Sequence, residues 1–199
     1  MNTINKPELL DFEMDREFLD LLKEMSGQDP ARCMQCGKCT AGCPAAFAYD
    51  FSPTQVMRLA QEGRKDLLLA CKSVWLCLSC HACAERCPME IDVTAVMGAL
   101  RRTALDHGRV SEKSVEKFHE SFLDSVRKNG RIHELGAMLG YVRRTGRVFT
   151  DVDLAPKILN KISFRPHAVK GRSEVLKIMD RFEAEKSKQS LRRENDYKD

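Results

Sequence analysis

The sequence lacks the short motifs that mark most enzymes. Neither G-x-G-x-x-G nor G-x-x-x-x-G-K-[ST] occurs, so nucleotide or flavin binding has no local support. No Ser/His/Asp arrangement and no paired carboxylate set is legible, which leaves nucleophilic and acid–base catalysis without candidates. No apolar run approaches the roughly 18 residues of a membrane span. The opening residues, MNTINKPELLDFEMD, have no apolar segment of the secretory kind, so a cytoplasmic protein is expected. Aromatic residues are sparse, with one Trp and three Tyr.

Cysteine is the exception: there are nine. Eight fall in two quartets, Cys33, Cys36, Cys39, Cys43 and Cys77, Cys80, Cys83, Cys87. Each quartet reads C-x2-C-x2-C-x3-C and is followed by proline, Pro44 or Pro88. Matched cysteines are all 44 positions apart. This is the ligand spacing of cubane iron–sulfur clusters. Three thiolates within seven residues, on a chain coiling around the cluster, can each meet a different iron. The fourth lies past that coil, where proline turns the chain away. In two-cluster ferredoxins that fourth cysteine ligates the other cluster. Two [4Fe-4S] clusters are therefore expected. Cluster one takes Cys33, Cys36, Cys39 and Cys87; cluster two takes Cys77, Cys80, Cys83 and Cys43. Zinc favours two separated C-x2-C knuckles across a longer loop, and nothing marks the chain as secreted and disulfide-bonded. A zinc-bound scaffold stays the metal alternative.

The chain has 199 residues, 31% charged and 43% hydrophobic, an ordinary globular balance. Charge is uneven. Residues 1–100 hold 10 Lys and Arg against 14 Asp and Glu, and residues 101–199 hold 23 against 15. The basic half can meet acidic partners or the cluster-bearing half. Its charges are dispersed and mixed with acids, which argues against nucleic acid.

Helical periodicity runs through the chain. Asp15 is placed to cap a helix with Phe18, Leu21, Leu22 and Met25 on one face, ending near Gly27, with Gln28-Asp29-Pro30 as a loop. Ser52-Pro53 opens a second helix, with Val56, Met57, Leu59 and Ala60, stopped by Gly63. A short helix is expected over 66–72. After the second quartet, Asp92 mirrors Ser52 and Val96-Met97 mirrors Val56-Met57, at an offset of 40. Val93, Val96, Met97, Leu100 and Ala104 form a stripe ending near Gly108. The spacer between the quartets is helical, with few β-branched residues, so the fold class is all-α: an α-helical dicluster ferredoxin over 1–110. A helical extension over 111–199 follows. Ser111 is expected to cap a helix burying Val115, Phe118, Phe122 and Val126, with Asn129-Gly130 as its stop. A helix over 131–145 carries Leu135, Met138, Leu139 and Val142, and Gly136 and Gly140 there allow close approach of a helix or partner. Asp153 starts a short helix, residues 163–167 read as extended, and Ser173 caps a last helix with Val175, Leu176, Ile178, Met179 and Phe182. The tail from Glu185 is expected to fray. Its last four residues, Asp196 to Asp199, match the start of a common epitope tag and are given no function.

Outside the quartets, Cys71 reads as a buried inert thiol. Trp75 is a core or cluster-shielding residue, and His81 either tunes the second cluster or is solvated. His133 and His167 are isolated and are not read as ligands. Backbone N–H groups at Gly37 and Lys38 can hydrogen-bond cluster sulfur. A cluster with all its irons held by cysteine has no open position, so it moves electrons rather than transforming a substrate.

The sequence resembles the HdrC family, the small iron–sulfur subunits of CoB-CoM heterodisulfide reductase and of bacterial Hdr-like complexes. The resemblance rests on CMQCGKCTAGCP at 33–44, FSPTQVMRLAQEG at 51–63, WLCLSCHACAERCP at 75–88 and RPHAVKG at 165–171. It implies a small, non-catalytic helical protein with two [4Fe-4S] clusters. Single electrons pass from a flavin- and cluster-bearing HdrA-like protein to a catalytic HdrB-like protein that reduces the disulfide. The eight quartet cysteines carry over as ligands, and the C-terminal half would grip the HdrB-like partner. The chain has no Cys-Cys pair of the kind HdrB uses. The cluster subunits of fumarate reductase, succinate dehydrogenase and anaerobic glycerol-3-phosphate dehydrogenase look similar around the cysteines. A freestanding ferredoxin-like carrier, or an iron–sulfur subunit of such a dehydrogenase, is the alternative.

Overall fold

The computed structural model describes residues 14–146 and 169–196. These are helical, with no strand among the described residues, and they divide into two compact units, Met1–Lys113 and Ser114–Asp199. Among the described residues no helix is long and apolar enough to cross a membrane. The expected helix near Asp153, the extended 163–167 segment, His167, most of the 165–171 motif and residues 197–199 lie outside the described residues.

The first unit begins with α1 (Arg16–Ser26). Asp15 Oδ1 accepts from the Phe18 amide at 2.8 Å, and Gly27, at φ +65°, closes the helix by donating to Lys23 O. Phe18 and Leu22 are buried, and α1 packs on α7 (Val93–Asp106). Asp29 caps a 3-10 turn, Pro30–Arg32, where a plain loop is expected from sequence, because its Oδ1 reaches the Ala31 amide.

Two short turns carry the quartets: α2 (Lys38–Ala41) and α6 (Ala82–Glu85), again 44 apart and packed on each other. The longer α3 (Pro53–Gln61) follows the first quartet and α7 follows the second. Ser52 and Gln55 form a reciprocal capping box on α3, and Asp92 Oδ1 accepts from the Ala95 amide on α7. Val56, Met57 and Ala60 on α3, and Val93, Val96, Met97, Leu100 and Ala104 on α7, form the core.

Between them lie α4 (Lys65–Ala70), which stops short of Cys71, and α5 (Ser73–Leu76), which the periodicity does not signal. Asp50 organises α5 from a distance. Its carboxylate accepts from the amides of Phe51, Lys72 and Ser73 and from Ser73 Oγ. Cys71 is 2% exposed and donates its thiol to Leu68 O. Burial pushes that thiol up to about 11, so it stays neutral and inert. Trp75 is a core residue of α5, also 2% exposed, with its Nε1 unpaired among the described residues.

The second unit holds α8 (Lys113–Asn129), α9 (Glu134–Thr145) and α10 (Arg172–Asp196). Gly130, at φ +76°, ends α8. The apolar face expected to be buried on α8 is not: Phe118 and Phe122 are exposed, and Ser121 and Ser125 are the buried positions. Small groups explain this. A Cβ at Gly140 would stand 3.6 Å from the Ser121 side chain, so α8 and α9 approach closely through Ser and Gly, while the Phe118 ring meets Tyr141 of α9 edge-on at 6.2 Å and stays half exposed. Ser125 Oγ accepts from the His133 amide at 2.8 Å, and Arg144 pairs with Asp124 and donates to Ser121 Oγ. Helix α9 starts at Glu134, three residues later than the sequence suggests, with His133 as its N-cap and Nδ1 accepting from Gly136 N. Arg127 clamps α10 through Asp180 and Glu183. Ser111 does not cap α8; its hydroxyl donates to Cys71 O. Ser173 lies inside α10, and that helix continues to Asp196 instead of ending near Glu185.

Burial works against ionisation of Asp50, but hydrogen bonds from Ser73 and from the Lys72, Ser73 and Phe51 amides hold its carboxyl below the usual range. Its stabilisation is therefore present above the ordinary carboxylate pKa and is lost as pH falls through the lowered one. Asp50→Asn replaces charge-assisted hydrogen bonds by neutral ones and is expected to cost about 1 kcal/mol at neutral pH. It should also reduce the loss of stability below about pH 4. Thermal melts from pH 3 to 7 check both, and parallel curves for the two proteins would contradict the assignment.

Candidate metal centre

The structure gathers the quartet cysteines around two cavities. Cys33, Cys36 and Cys39 line one together with Cys87, and Cys77, Cys80 and Cys83 line the other together with Cys43. In each, the fourth thiol comes from the other quartet. The empty space is about 360 Å³ at the first and about 370 Å³ at the second, open mouths included. Val93 lines both, so the two cavities share a wall.

The ligand loops repeat their backbone as well as their cysteines. Gln35 and Ser79 have φ near +57° and +52°, and Gly37 and His81 near +78° and +60°, each pair 44 apart. Only these left-handed steps let a chain coil tightly enough to turn three thiols toward one space. At His81 a non-glycine residue occupies such a step. Its ring is largely exposed, with Nδ1 3.6 Å from Asp92 Oδ2, and it does not line the cavity.

The helix after each quartet then reaches back to it. Thr54 Oγ1 lies 3.4 Å from Cys39 Sγ, and Thr94 Oγ1 lies 3.3 Å from Cys83 Sγ. Gln61 Nε2 donates to Cys33 O at 2.7 Å, and Arg101 Nη2 donates to Cys77 O at 2.9 Å. Thr54 and Thr94, like Gln61 and Arg101, are 40 apart, the offset of the Val-Met pairs. Sequence reasoning used that offset for caps and core and passed over these four polar positions, although the same signal marks them. Arg101 also donates through Nε to Val74 O, tying α5 to α7 beside Cys77.

Two donors are private to one site. Gln35 Nε2 lies 3.5 Å from Cys33 Sγ. Tyr49 lines the second cavity, and burial, then the Cys43 and Cys77 thiols beside it, push its phenol up, so it stays protonated. No repeat or spacing announces Tyr49.

The donor set decides what the cavities fit. Neither is lined by a carboxylate or an imidazole; four thiols and apolar groups dominate. Burial pushes the Cys33 thiol up, and it pushes the Cys83 thiol up against the opposing hydroxyl of Thr94. Such thiols are poor acid–base groups at neutral pH and hold a thiolate only where a cation draws off the proton. That suits a thiolate-ligated iron–sulfur cluster in each.

Comparison with known proteins agrees. Residues 29–91 match the 4Fe-4S dicluster domain family. The chain is 37% identical over 130 residues to the C subunit of the ferredoxin:CoB-CoM heterodisulfide reductase of Methanosarcina mazei, covering 62% of this chain and 79% of the relative. It is 33% identical over 95 residues to the C subunit of the H(2):CoB-CoM heterodisulfide,ferredoxin reductase of Methanothermobacter thermautotrophicus. That match spans 48% of this chain and about half, 51%, of the relative. The second iron-sulfur C subunit of the CoB--CoM heterodisulfide reductase of Methanocaldococcus jannaschii is 28% identical over 145 residues, 69% of this chain and 77% of the relative. The chain accordingly carries two [4Fe-4S] clusters.

Removing either reach-back donor should loosen only its own site. Arg101→Ala is expected to cost about 2 kcal/mol and Gln61→Ala about 1 kcal/mol, since a charged donor is worth more than a neutral one. Chelator challenge followed by EPR checks selectivity: each variant should speed loss of one cluster signal, and not the same one. Equal acceleration of both signals would refute local action.

Proposed function

The chain belongs to the HdrC family of heterodisulfide reductase, and on that premise we propose that it relays single electrons from a flavin- and cluster-bearing HdrA-like protein to a disulfide-reducing HdrB-like protein. The clusters supply one-electron carriage and nothing else. In this reading Cys33, Cys36, Cys39 and Cys87 hold one, and Cys77, Cys80, Cys83 and Cys43 hold the other. The chain's own residues set where electrons cross. Val93 and the exchanged fourth cysteines keep the sites adjacent. Buried Ile91 and Met97, which line one cavity each, help exclude water. A cytoplasmic location belongs to the same reading.

The observation that carries the proposal is that each cavity has one exposed cysteine, Cys36 or Cys80, beside an exposed apolar neighbour. Met34 is 62% exposed and Leu78 66% exposed, and they are matched positions of the repeat. A site with a single carrier needs one such face; a relay needs two. The second unit adds exposed Leu123 and Leu139, and Ile178 and Phe182 on α10, which support its use as a docking element for the HdrB-like partner.

Two experiments test this reading. Cys87→Ser should damage the same EPR signal as Cys33→Ser and spare the one lost in Cys77→Ser; the opposite pairing would overturn the ligand assignment. Leu139→Glu with Ile178→Glu should leave cluster content unchanged while reducing copurification of the catalytic partner at least about tenfold, the effect of losing roughly 1.4 kcal/mol at an interface. Undiminished copurification would favour another docking face, and isolation as a monomer with no cysteine-rich partner would favour a freestanding carrier.

A further inference from the structure

The two copies share a threonine against the third cysteine, but only the first has a second hydroxyl behind it. Thr40 Oγ1 lies 2.7 Å from Thr54 Oγ1 and also accepts from the Thr54 amide at 3.0 Å. The residue 44 positions after Thr40 is Ala84, which has no hydroxyl. The proton count fixes the direction of the chain of bonds. An iron-bound thiolate has no proton, so Cys39 Sγ can only accept and Thr54 must donate to it. A hydroxyl has one proton, so the contact between the two threonines must run from Thr40 to Thr54. Thr40 is left accepting from the Thr54 amide, as observed. Every donor points toward the sulfur, and aligned hydrogen bonds polarise one another and strengthen the last.

We propose that Thr40 and Thr54 form a one-way hydrogen-bond relay that raises the reduction potential of the cluster held by Cys39, an increment the cluster held by Cys83 lacks because Thr94 acts alone. Hydrogen bonds to ligand sulfur withdraw electron density and favour the reduced cluster. Thr40 acts through Thr54 and touches no ligand sulfur, so it is a positioning residue. The relay adds to the differences that Gln35 and Tyr49 already make between the two sites, and unequal sites are a requirement for holding an electron longer on one side than on the other. This rests on the two-cluster relay reading and on Cys39 and Cys83 as ligands.

Redox titration of the whole chain, followed by EPR, tests it. Wild-type protein must show two [4Fe-4S] signals; a single signal, or none, fails the relay reading itself and not merely the threonine network. Given two signals, Thr54→Val and Thr94→Val should each lower one midpoint potential, and not the same one. Thr40→Val should lower the one that Thr54→Val lowers, by less, and Thr40→Ser should leave it in place. The double variant of Thr40 and Thr54 should match Thr54→Val alone. Ala84→Ser removes no native contact and keeps the test open if a valine variant fails to load: it should raise the potential that Thr94 governs. No shift in Thr40→Val, additive shifts in the double variant, equal shifts of both signals, loss of potential in Thr40→Ser, or an unmoved or lowered potential in Ala84→Ser would each overturn the proposal.

Discussion

Each cavity needs a thiol that its own quartet does not supply. Three cysteines fit on the short left-handed coil of a ligand loop, and the fourth lies beyond it, so Cys43 and Cys87 cross to the opposite site. This exchange is the constraint on which the first unit depends. It brings α2 against α6 and places α3 and α7 so that each can reach back to its own quartet. It also makes Val93 a common wall. Beside the two cavities the unit keeps an apolar core of its own, drawn from α1, α3, α4, α5 and α7.

Much of this was legible because the sequence contains its own duplicate. The 44-residue offset exposed both quartets, and the 40-residue offset exposed Ser52 with Asp92 and Val56-Met57 with Val96-Met97. Local chemistry sufficed there: caps, left-handed glycines and helical stripes are short-range signals. Contacts that close over long separations were not legible. Asp50 reaching α5, Ser111 reaching Cys71 O and Tyr49 facing two thiols leave no periodic trace. Thr54, Thr94, Gln61 and Arg101 did leave one, and were overlooked because polar positions on an amphipathic helix look like solvent-facing ones.

In the second unit, periodicity misled. Val115, Phe118, Phe122 and Val126 form a helical stripe, and such a stripe is ordinarily a buried face. Here α8 approaches α9 through Ser121, Ser125 and Gly140, and Phe118 touches Tyr141 only edge-on, so the rings of Phe118 and Phe122 stay largely exposed. Among the described residues that face is only partly covered, and an apolar surface left open in this way is what a component of a larger complex presents. The polarity of the tail misled in the opposite direction: charged residues spaced along 172–196 favour a solvated helix as readily as a frayed end.

On this account the chain is a wire, with every iron held by a cysteine and none open to a substrate. Mössbauer spectroscopy of anaerobically purified, iron-57-enriched protein tests that most directly. It should show iron only in [4Fe-4S] clusters with uniform thiolate coordination, unchanged on addition of a disulfide, with enough iron for two clusters per chain. An iron site of distinct isomer shift that responds to the disulfide, or a chain carrying zinc in place of iron and sulfide, would contradict it.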